Sequence, residues 1–88
     1  MKFWGKIIKN NKCLADTTVD VNDDSLTRTK KVFAALEQAC VNLDLSTPIW
    51  LDSNISGFKR NSKTRFYPDS FIESVEFDYF DFQVTEED

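Results

Sequence analysis

The chain has 88 residues, a formal net charge of −4 and no histidine. The absence of histidine removes the Ser-His-Asp and Cys-His arrangements and the usual zinc ligand sets. The acidic balance argues against a general phosphate-binding role, which needs clustered Lys and Arg. At this size a folded chain buries only roughly 60–65% of its unfolded surface, leaving little room for both a core and an enclosed active site.

Lysines interrupt every apolar pair near the N-terminus, so no signal-peptide core is present. No apolar run approaches the roughly 20 residues of a membrane span. The expectation is a cytoplasmic protein of one domain, residues 1–88. Cys13 and Cys40 are too few for a disulfide framework and are expected as two buried, reduced thiols. No cofactor or metal is expected, because only two glycines (5 and 57) are available and no ligand spacing occurs. Asp20, Asn22 and Asp24 follow an EF-hand spacing, but Ser25 and Lys31 replace the required Gly and Glu.

In chain order, residues 2–9 are β-prone with apolar side chains on both faces. Asn10-Asn11 tolerates positive φ and suits a two-residue type I′ hairpin, opposing Lys9 with Lys12 and Ile8 with Cys13. A second strand is expected over about 12–21, rich in β-branched residues. Gly5 reads as a strand glycine, at a bulge or beneath an aromatic ring.

Residues 22–25 offer several N-caps for a helix over roughly 26–43. Leu26, Thr29, Phe33, Leu36, Cys40 and Leu43 mark its expected apolar face. Pro48 ends that region. Ile49-Trp50-Leu51 reads either as a strand fragment or as a plug. Residues 52–62 read as irregular, with Asp52 or Asn54 capping at most one turn. A third strand is expected over 63–67, and Pro68-Asp69-Ser70 is a turn signal. A final strand is expected over 71–84, with Glu86-Glu87-Asp88 as a solvated tail.

The pattern strand–strand–helix–strand–strand predicts an α+β two-layer sandwich. Its mostly antiparallel sheet has about four strands, in the order 2-1-4-3, covered by one helix. Residues 1–12 carry four Lys and no acid, whereas residues 69–88 carry eight acids and no base. That strand order places these oppositely charged strands side by side.

The candidate binding residues are weak ones. The segment 58–67 interleaves Phe58, Lys59, Arg60, Lys63, Arg65 and Tyr67, a pattern of rings and cations that can hold single-stranded nucleic acid. A loop and a charged edge strand explain the same residues. Trp50, with Ile49, Leu51, Ile55 and Phe58, is either an exposed apolar patch for a partner or part of the core. Phe80 and Phe82 fall out of phase with Val75, Phe77 and Tyr79. A bulge near 79–80 returns both sets to the covered face; a straight strand leaves one set on the open face, as an interface. Glu76, Asp78 and Asp81 could approach a hard cation, but their alternation fits a solvated strand face.

Trp4-Gly5-Lys6-Ile7, Arg28-Thr29, Phe33-Ala34-Ala35-Leu36-Glu37, Pro48-Ile49-Trp50-Leu51, Lys63-Thr64-Arg65-Phe66, Phe71-Ile72 and Phe77-Asp78-Tyr79 together resemble a family of small uncharacterised proteins from Gram-positive anaerobic bacteria. The resemblance spans the chain and implies a bacterial, cytoplasmic origin. It assigns no activity, ligand or catalytic residue. The sequence therefore points to a non-enzymatic protein–protein interaction module, with a homodimer as one form. Nucleic-acid binding through 58–67 is the alternative, and no membrane partner is expected.

Overall fold

The computed structural model describes all 88 residues. Two strands, β1 (Lys2–Lys9) and β2 (Lys12–Asp20), form a hairpin. Asn10 and Asn11 turn it with φ of 51° and 63°, the left-handed pair that a type I′ turn demands. Lys9 opposes Lys12 and Ile8 opposes Cys13, the register expected from the sequence.

Helix α1 (Arg28–Asn42) follows. Its N-cap is Thr27, whose hydroxyl accepts from the Lys30 N–H, rather than a residue of 22–25. Asp23 instead accepts from the N–H and hydroxyl of Ser25. A second helix, α2 (Asp52–Asn61), replaces the irregular segment expected over 52–62. Then come β3 (Lys63–Phe66), a 3₁₀ turn (Pro68–Ser70) and β4 (Tyr79–Glu86).

All four strands pair antiparallel in the order β2-β1-β4-β3. Basic β1 thus lies against acidic β4, with Lys2 3.5 Å from Glu86 and Lys6 opposite Asp81. Both helices cover one face of the sheet. Two helices, not one, make the second layer, which corrects the single-helix expectation.

The pleat decides the rest. Phe3, Gly5 and Ile7 of β1 and Phe80 and Phe82 of β4 face the helices and are buried. Phe3 stacks on Phe82 at 5.5 Å. Val32, Ala35, Leu36, Ala39 and Cys40 of α1 close over them. That stripe is centred on the alanines, so Phe33 and Thr29, expected on the apolar face, are turned to the flank. An added Cβ at Gly5 would lie 2.8 Å from the Phe80 ring and 3.6 Å from the Ala39 Cβ. Glycine therefore stands where helix and ring come closest to the sheet.

Two expectations fail for reasons of register. Residues 71–78 are not strand. Val75 and Phe77 belong to the connection before β4, and Phe77 is buried with its ring edge-on to Phe71 at 5.4 Å. The break in alternation therefore marks the start of β4, and neither a bulge nor a two-faced apolar strand is needed. Cys13 is exposed, not buried. Cys13 opposes Ile8, which alternates with buried Ile7, so both lie on the outer face; the register shift that leaves Leu14 as the extra residue comes after that pair.

Candidate interaction groove

The helix layer is narrower than the sheet. Helix α1 lies over β1 and β2, and α2 packs against β3. Between them Trp50 fills the gap as a plug without regular structure. Its indole meets Phe33, Phe58 and Phe66 edge-on, at centroid distances of 5.7, 5.7 and 5.0 Å. This edge-to-face geometry is favourable for aromatic pairs and pins the ring.

The plug does not fill the space to the surface. A cavity of about 130 Å³ remains, bounded by Thr29, Val32 and Phe33 on α1 and by Ile55 and Phe58 on α2, with Trp50 between them. Phe33 is 48% exposed and Ile55 41%. Neighbouring Ile49 and Leu51 are also exposed. Two cations, Arg28 and Lys59, complete the lining, and no acid contributes to it. Arg28 donates to Glu87 at 3.1 Å and to the Ser62 hydroxyl at 3.2 Å. Lys59 and Arg60 make no ion pair.

The wall formed by α2 is held by one buried polar residue. Asn54 accepts from the Leu51 N–H at 2.9 Å, satisfying a free donor before the first turn. Its amide donates to Thr64 Oγ1 at 2.9 Å and to the Arg65 carbonyl at 2.8 Å. The start of α2 is thereby fastened to β3.

The nine candidate residues fall in three places. Phe80 and Phe82 are fully buried, which removes both as surface contacts, whereas Phe58, nearly buried, remains as part of the groove lining. Phe80 and Phe82 of β4 point at the helices, and Phe58 stacks on Phe82 at 6.0 Å. Trp50 is the half-buried floor of the groove and Lys59 its rim, while Arg60 is exposed on α2. Lys63, Arg65 and Tyr67 lie on the open face of the sheet or beyond its edge. Arg65 stacks 4.4 Å over Tyr79, which meets Tyr67 at 5.9 Å. The segment 58–67 is therefore divided between two faces and presents no continuous basic-aromatic surface.

The acidic residues do not converge either. Asp78 accepts from the Asn10 N–H at 2.8 Å, Asp81 lies 3.8 Å from Arg65, and Glu76 is exposed. No group of three or more His, Cys, Asp or Glu side chains is placed to hold a metal ion. The tail is tied down rather than free: Asp88 pairs with Lys31 and Glu87 with Arg28. No helix is long and apolar enough to cross a membrane.

The sequence reading placed Ile55 and Phe58 beside Trp50 in a candidate patch but missed Phe33 and Arg28 as groove residues. The signal was present in the alanines. A face centred on Ala35 and Ala39 turns Phe33 outward, whereas a face drawn through the largest side chains hides it. Comparisons with family models, with curated proteins and with solved structures found no match to this chain.

Proposed function

We propose that this chain is a small, non-enzymatic interaction module of the cytoplasm that docks a partner protein in the groove between α1 and α2. The observation that carries this reading is the display of Phe33 and Ile55 around an unfilled apolar cavity. Exposed large apolar side chains scattered singly are ordinary, but several gathered around a concavity mark a recognition site. The lining also supports a particular partner chemistry. Apolar walls with Arg28 and Lys59 at the rim suit a segment that offers an aliphatic anchor flanked by carboxylates.

A photoreactive benzophenone amino acid placed at position 33, and separately at Thr18 on the open sheet face, tests this in the source cells. The reading expects a discrete protein adduct from position 33 that Thr18 does not give. The same adducts at both positions, or none at position 33, would overturn it. Single-stranded nucleic acid has less support, because 58–67 is split, Arg28 already lies over the Phe58 ring and Arg65 is stacked on Tyr79.

A further inference from the structure

Accepting the groove as a docking site, we infer that its occupant is Ile72 of a second copy of this chain. Ile72 is the most exposed large apolar side chain in the molecule, at 86%. It is also held in place. The Ser70 N–H donates to the Tyr67 carbonyl at 2.9 Å and the Ile49 N–H to the Ser70 carbonyl at 2.8 Å. The Ser46 N–H donates to Glu73 Oε1 at 3.2 Å, and the Phe71 ring is buried against Phe77. The loop that carries Ile72 is thus fastened on both sides, so presenting it to a partner requires little further ordering.

The charges match as well. The knob lies among Asp69, Glu73 and Glu76, all exposed, with no base between residues 68 and 78. The hole is lined by Lys59, which has no ion pair, and by Arg28, which is paired with Glu87, and no acid contributes to the lining itself. An aliphatic side chain entering a cavity of about 130 Å³ would bring these carboxylates toward those cations. A single anchor makes a weak contact, so the association depends on concentration and weakens as salt screens the rim.

Knob and hole are different surfaces of the molecule, so a pair joined by a single contact is head-to-tail. The docked pair still presents one free knob and one free hole, which either close on each other as a two-fold dimer or take up further copies into larger rings or open chains.

Sedimentation velocity on the full chain at low salt, over rising concentration, is the test. It uses Ile72→Asp to remove the knob and Ile55→Glu to place an acid in the hole. Both positions are solvent-exposed, and thermal unfolding by circular dichroism verifies that each variant folds. The wild-type protein is expected to show a mean mass that climbs with concentration and falls with added salt. Each variant alone is expected to stay monomeric. An equimolar mixture of the two is expected to form a 1:1 dimer and nothing larger, because one intact knob and one intact hole remain. A wild-type protein monomeric at every concentration, association that survives Ile72→Asp, or a mixture that stays monomeric would each overturn the second copy as occupant. A monomeric wild type together with a different protein captured at position 33 would leave the groove standing and remove only this inference.

Discussion

Gly5 is a position at which a single methyl group matters. The space a Cβ needs is already occupied by the Phe80 ring, which is itself fully enclosed and has nowhere to move. Gly5→Ala is expected to destabilise the fold by about 1–3 kcal/mol, the usual cost of overpacking, read as a lower urea midpoint. Asn54 is the polar counterpart. Removing its side chain leaves the Leu51 N–H and the Arg65 carbonyl without their partner. Asn54→Ala should cost about 1–3 kcal/mol, with loss of helical signal because α2 loses its fastening. The thiols divide by environment: burial pushes Cys40 up to about 11, whereas Cys13 is exposed. Iodoacetamide at neutral pH should label Cys13 in the folded protein and reach Cys40 only on unfolding, followed by intact mass.

Among the elements, α1 ends in a paired hydrogen-bond stop. The Leu45 N–H reaches back to the Cys40 carbonyl at 2.8 Å and the Asp44 N–H to the Val41 carbonyl at 3.2 Å. That geometry sets Asp44 at φ 57°, a conformation suited to glycine, and places a carboxylate at the negative end of the helix dipole. Asp44→Gly is therefore expected to raise stability by about 0.5–1 kcal/mol, seen as a higher melting temperature.

The elements also show what the sequence could reveal. Helix α1 and the Asn10-Asn11 hairpin were legible because each rests on local chemistry, alanine-rich periodicity in one and tolerance of positive φ in the other. The sheet order was legible from charge, since basic β1 and acidic β4 attract. Helix α2 was not. It buries only Asn54 and Phe58, and Ser53, Ser56 and Gly57 are indifferent or poor helix formers. Its stability comes from packing and from Asn54's bonds to β3, which are tertiary facts. The groove was hidden for the same reason, because one of its walls is α2. Phe80 and Phe82 were misjudged as surface candidates because the start of β4 depends on where the loop at 71–78 stops, and alternation alone does not locate that.

For the whole molecule, charge couples the termini to α1. The carboxyl of Asp88 is held below its ordinary value of 3.8, first by its hydrogen bond to Lys31 and then by the bond from the Met1 amino group. Ser25's hydroxyl, and then its N–H, does the same for Asp23. A lowered carboxyl contributes stability above pH 3.8 that is lost as pH falls below that value through the folded one. Lys31 is raised above 10.5 by Asp88, so its contribution is present below that pH and lost as pH climbs beyond it. Cys40 adds to the alkaline loss: from pH 9 to about 11 the unfolded thiol ionises while the folded one stays protonated. Stability should therefore be level between these limits, and Asp88→Asn should make its decline on the acid side shallower, measured by denaturant unfolding across pH.

The position of β4 between β1 and β3 also sets a timetable. The strand that enters the sheet last in sequence is flanked on both sides, and Lys2 finds its partner at Glu86, across nearly the whole chain. During synthesis the hairpin and both helices emerge without the strand that joins their two halves. Their apolar faces stay uncovered until residues 79–86 leave the ribosome. The sheet then closes through pairings of long sequence separation, which cost the most loop entropy and form slowly. Until β4 arrives, the nascent Phe3 and Ile7 are surfaces for a chaperone to cover.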